Sequence, residues 1–198
     1  MRLEGQADVF PFDGFPVPIR PGTLSAVIFS DEVSEIVFIK SLLLAWPGRV
    51  TYLEPGRRFS SREMENLSYG RVYDARDVRD ELGSSEEGSL VVVSGAPLLR
   101  NFDADFVMSL RPILDDRNLT IVMYHLPLAI NELDLASEFR RYYHIPELMD
   151  YLMAMRTSSY RGHYRMSLTV MRAPHDFVGL LGDHVFSIDS AFRKVSEL

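Results

Sequence analysis

The 198-residue chain contains no cysteine. That absence excludes disulfides, zinc fingers, thiol nucleophiles and cysteine-held iron–sulfur clusters together. Lysine is nearly missing as well, since 19 of the 21 basic residues are arginine. No apolar run approaches the ~20 residues that a bilayer span requires. The longest, Ile36 to Trp46, is interrupted by Lys40 and Ser41. The opening MRLEGQADVFPFDG lacks an apolar core of signal-peptide length, so a cytoplasmic, non-membrane protein is the expectation. Twelve glycines and eleven prolines exclude a collagen-like chain. The net charge of −7 argues against a general nucleic-acid coat, which needs a positive field to release counterions.

Catalytic signatures are equally scarce. There is no G-x-S-x-G elbow to anchor a serine hydrolase and no G-x-G-x-x-G for a dinucleotide. The five histidines show no H-E-x-x-H pattern, and no metal site is expected. What is present is ordinary for a folded soluble chain: 46% hydrophobic and 25% charged residues. One domain over residues 1–198, with a proline-rich leader at 1–22, is the expected organisation.

The prolines of DVFPFDGFPVPIRPG (8–22) predict an extended leader rather than a helix. TLSAVIFS (23–30) then reads as a buried strand, followed by a helix from about Glu32 to Trp46 with Ser30 or Asp31 as its cap. Val50–Leu53, Ser89–Ser94 and Leu119–His125 read as further buried strands. Short helices are expected near Ser61–Leu67 and Arg76–Leu82, with a strand at Arg71–Tyr73 between them. Helices at Asp103–Asp116, bent near Pro112, and at 132–143 complete the alternation. Beyond Pro146 the period becomes two, which predicts strands at Met149–Arg156 and from Tyr164 to Val170 across an SSYRG turn. A last strand at His184–Ile188 precedes a charged tail. The sum is an α/β fold: a mostly parallel sheet with helices on both faces and an antiparallel C-terminal edge hairpin. Ligands of such sheets sit at the carboxyl ends of the strands.

The order of these segments resembles the RecA superfamily, and most of all its KaiC-type and archaeal RadA-like branch, over residues 9 to 189. VFPFDGFPVPIRPGTLSAVIF resembles the segment before the phosphate loop, and VTYLEP (50–55) the next strand with its acidic end. SLVVVSGAPLL (89–99) resembles the metal-binding strand and LTIVMYHLPLA (119–129) the sensor strand. MDYLMAMRTSSYRGHYRMSLTVMRAPHD (149–176) with HVFSID (184–189) resembles the terminal hairpin.

The resemblance implies an ATP site, and the residues depart from it. A phosphate loop G-x-x-x-x-G-K-[ST] needs glycines so that backbone N–H groups converge, a lysine to neutralise charge and a hydroxyl for magnesium. Ser30, Glu35, Ile36 and Val37 occupy those four positions, and no glycine stands between Thr23 and Pro47. Ser94 replaces the metal-binding aspartate, and a lone hydroxyl is a poor ligand for magnesium. Asp31, Glu32 and Glu35 surround the place where phosphate would sit. A pseudo-ATPase without a bound cofactor is therefore expected, acting as an accessory or regulatory subunit. Its partner would be itself or an active ATPase of the superfamily, in a setting such as DNA recombination and repair.

Two candidate surfaces follow. From Tyr151 to His175 there is no acidic residue, while Arg156, Arg161, His163, Arg165 and Arg172 are interleaved with Tyr160 and Tyr164. Arginine with aromatics suits single-stranded nucleic acid, an acidic neighbouring subunit, or a charged edge hairpin that resists aggregation. An alternative reading is an enzyme or nucleotide binder with a rewired site at the strand ends, built from Glu54, Ser94, Arg100 and His125.

Overall fold

A computed structural model describes residues 7–56 and 64–197. Eight strands form one sheet: β1 (Leu24–Phe29), β2 (Val50–Glu54), β3 (Leu67–Arg71), β4 (Leu90–Ser94), β5 (Thr120–His125), β6 (Tyr151–Tyr160), β7 (His163–Arg172) and β8 (Gly182–Ser187). Their spatial order is β3-β2-β4-β5-β1-β6-β7-β8. The first six are parallel to one another, and β7 runs antiparallel to both β6 and β8. The expected α/β architecture with its antiparallel C-terminal edge is what the chain adopts.

Strands β1, β4 and β5 are buried along their whole length because helices cover both faces, which is why they read as continuous apolar runs. On one face lie α1 (Glu32–Ala45), α5 (Asp189–Ser196) and the leader; their core includes Val27, Phe29, Phe38, Tyr52 and Tyr124. On the other lie α2 (Ala75–Ser84), α3 (Ala104–Arg117) and α4 (Leu135–Tyr143), packed on Ala26, Ile28, Val93 and Met123. Helix α1 is apolar nearly all round because α5 covers the side that the sheet does not, with Lys40 Nζ donating to the carbonyl of Val195 at 3.3 Å.

Several boundaries differ from expectation. The leader folds back on itself, so that Val9 pairs with Ile19 and Phe15 packs on Phe38 and Phe186. The strand expected at Arg71–Tyr73 lies at Leu67–Arg71; of the helix expected at 61–67, residues 61–63 lie outside the described residues, and Leu67 already belongs to β3. Helix α3 runs through Pro112 without a restart. Pro112 lies on the exposed side, as does Met108, so water can serve the carbonyl that the proline leaves unbonded. Strands β6 and β7 are longer than their apolar cores, and the turn between them contracts to Arg161-Gly162. The C-terminal tail is helix α5, which buries Ala191 and Val195.

Candidate functional site

The junction between β1 and α1 is two residues long, Ser30 and Asp31, and so offers no loop to encircle an anion. Glu35, Ile36 and Val37 lie inside α1 rather than before it. Asp31 caps the helix: its Oδ1 accepts the Ser34 N–H at 2.8 Å. The same carboxylate reaches β6, where Oδ2 accepts the Thr157 N–H at 2.6 Å and Oδ1 accepts the Thr157 hydroxyl at 2.5 Å. The Ser30 N–H donates to the carbonyl of Met155 at 2.8 Å, closing the junction against the same strand. An aspartate held this way already supplies the negative charge that the positive end of a helix attracts. A phosphate placed beside it meets like charge, at about 3 kcal/mol per charge pair at ~5 Å and an effective dielectric of ~20.

A second polar group lies at the carboxyl ends of β2, β4 and β5, on the α1 face of the sheet. The hydroxyls of Tyr52 and Tyr124 are 2.7 Å apart, and Ser94 stands within hydrogen-bonding reach of both. Glu54, at the end of β2, and Glu35, on the buried side of α1, bring their charges toward this pair. Burial is the main cause that raises both phenol pKa values above the ordinary range, and the carboxylates reinforce it. The tyrosines are therefore neutral donors and acceptors at physiological pH, and nothing here supplies a phenolate. Among the described residues no group of three histidine, aspartate or glutamate side chains is placed to hold a metal ion.

The structure brings Glu54 and Ser94 together and separates them from the other two residues of the alternative site. His125 follows Tyr124 and points to the opposite face, where its ring meets Tyr142 with centroids 4.7 Å apart. Burial lowers its pKa to about 4, so it is neutral. Arg100 is exposed beside the start of α2, its backbone bonded to Tyr73 and Ala75. Gly95 takes the left-handed conformation (φ 60°) that lets β4 turn into the 3-10 segment Ala96–Leu98 leading there.

Solved structures of similar fold include two that superpose over most of the chain. The flagellar accessory protein FlaH from Methanocaldococcus jannaschii superposes with a TM-score of 0.52 at 11% identity, covering 88% of each chain. The RadB recombinase superposes with a TM-score of 0.61 at 15% identity, covering 85% of this chain and 88% of its own. The fold is RecA-like. No family model matches the sequence, and no curated protein matches it.

On this RecA-like frame the arginine-rich hairpin is less positive in space than in sequence. Arg156 pairs with Glu132 at 2.7 Å and His163 Nδ1 lies 2.9 Å from Asp189. Arg172 stands near enough to Glu147 to help lower its pKa, after a backbone hydrogen bond and the Arg140 side chain. Arg161 lies over the Tyr160 ring at the turn, and Arg165 shares the open face of the sheet with Arg156. Among the described residues, neither Arg161 nor Arg165 has a carboxylate partner. A groove of about 340 Å³ runs along that open face between Ser30, Leu133, Arg156 and Val185. Sequence reasoning missed Thr157, Tyr52 and Tyr124. Thr157 carried no signal, because its partner Asp31 is 126 residues away.

Proposed function

We propose that this protein is a RecA-like accessory or regulatory subunit that works by protein–protein contact instead of ATP hydrolysis. The observation that carries the reading is Asp31, whose carboxylate binds both the first turn of α1 and Thr157 of β6 where the RecA resemblance places phosphate. Ser94 supports it, since its hydroxyl serves the two tyrosines at the position where the resemblance places a metal-binding aspartate. The fold does not choose a function, for its structural neighbours include a flagellar accessory protein and a recombinase. The site must therefore decide.

The partner is a second copy of the chain or an active ATPase of the RecA superfamily, met through the hairpin that carries Arg161 and Arg165. Isothermal titration with Mg-ATP tests the reading directly. No heat of binding is expected up to millimolar nucleotide, and micromolar affinity would overturn it. Single-stranded oligonucleotide binding that falls steeply with salt, and disappears in the Arg161→Ala/Arg165→Ala double variant, would replace the protein partner with nucleic acid.

A further inference from the structure

Strand β8 closes one edge of the sheet, and among the described residues no strand pairs with its outer side. The Ile188 N–H donates to the Tyr164 carbonyl at 3.0 Å, which sets the phase of the antiparallel ladder. With that phase, Gly182, His184 and Phe186 turn their backbone groups to β7. Asp183, Val185 and Ser187 turn theirs outward. Protected edges usually carry a lysine, a proline or a bulge. Here the β7–β8 register is unbroken, GDHVFS holds no proline or basic side chain apart from histidine, and Val185 is 64% exposed. The one acidic side chain, Asp183, is turned back to accept the Thr169 hydroxyl at 2.6 Å.

We infer that this edge is covered by β8 of a second copy, giving a two-fold dimer with one sheet running through both protomers. The register argues for this occupant. A two-fold axis at Val185 sets Val185 against itself and Asp183 against Ser187 of the partner copy, with His184 facing Phe186. No like charges meet, and the three outward residues exchange about six main-chain hydrogen bonds, two for each opposed pair. Moving the axis two residues toward the start of the strand opposes Asp183 to itself. Moving it two residues the other way runs β8 against the first turn of α5, where strand pairing stops. The Val185-centred register thus opposes all three outward residues of β8 to one another and brings no like charges together. An interface of this kind is isologous and closes on itself, so it stops at two copies.

The dimer does not depend on the nucleotide reading above. Nucleotide affinity in a dimer would sink that reading alone, and a monomer without nucleotide affinity would sink this one alone. The experiment is sedimentation velocity of the full chain without nucleotide, up to about 200 µM, a range that captures small interfaces. The expected species is about 45 kDa, twice the 22.6 kDa of one chain. Because the contacts are main-chain and each protomer carries a charge of −7, raising the salt should leave the dimer as tight or tighter. Val185→Lys, which sets two ammonium groups together at the axis, should weaken it at least about tenfold. Val185→Pro removes an outward N–H, a position where edge strands tolerate proline, and should act likewise. Tyr69→Lys on β3, at the far edge, should leave the dimer intact. A monomer throughout, or a dimer that both Val185 variants leave unchanged, overturns the inference.

Discussion

Oδ2 of Asp31 accepts the backbone N–H of Thr157 at 2.6 Å, so the residue that begins α1 also holds β6 in place. Losing this carboxylate removes a helix cap, typically ~1 kcal/mol. It also leaves a partly buried N–H and hydroxyl unpaired, which costs about 1–3 kcal/mol more. Asp31→Ala should therefore destabilise the protein by about 2–4 kcal/mol in urea titration, and Thr157→Val by only about 1 kcal/mol. Equal losses in the two variants would show that the hydroxyl, and not the carboxylate, organises the junction.

The Tyr52–Tyr124 hydroxyl pair is buried, and its members should be coupled. Each single change to phenylalanine removes the bond between the two hydroxyls, leaving Ser94 as the remaining partner, and should cost about 1 kcal/mol, while the double change should cost less than their sum. Both phenols have a folded pKa raised above the unfolded value of ~10. Their contribution to stability is complete below pH ~10 and is lost as the pH rises beyond it. Absorbance at alkaline pH should show these two tyrosines ionising only with unfolding.

His125 gives the opposite dependence at the acid end. Burial lowers its pKa to about 4, against ~6.5 in the unfolded chain. Between those values the unfolded state binds the extra proton, so stability is full above pH ~6.5 and declines as the pH falls toward 4. The decline should be roughly 1–3 kcal/mol, read from urea midpoints across that range. His125→Phe, which keeps a ring against Tyr142, should flatten it.

The turn joining β6 to β7 uses Arg161 at φ 50° followed by Gly162 at φ 81°. Two successive left-handed residues make the type I′ turn that suits hairpin twist, and asparagine fits the first position better than arginine. Arg161→Asn should therefore stabilise the fold by about 0.5–1 kcal/mol in thermal melts. If Arg161 is kept for contact with a partner, the same variant should bind that partner less well.

The buried strands were legible because burial on both faces demands uninterrupted apolar residues, as in LVVVS of β4 and TIVMYH of β5. Strand β3 was expected at Arg71–Tyr73 instead of Leu67–Arg71, since LSYGR is a half-exposed edge that sets only Leu67 and the ring of Tyr69 against the core. Helix α5 was hidden for a similar reason: of its eight residues only Ala191 and Val195 are buried. The clasp between Asp31 and Thr157 was not legible, because sheet order alone brings the two residues together. The basic strip misled in part, because Glu132 and Asp189, which answer Arg156 and His163, come from other elements.

Strand β1, the first of the sheet to leave the ribosome, lies between β5 and β6. It waits for its two neighbours until residues 125 and 155 have been translated, since Ile28 pairs with His125 and Phe29 with Met155. Until then its LSAVIF segment has no sheet to join, and a topology of such distant pairings folds slowly. The nascent chain is thus a natural client for chaperones that shield apolar segments during synthesis.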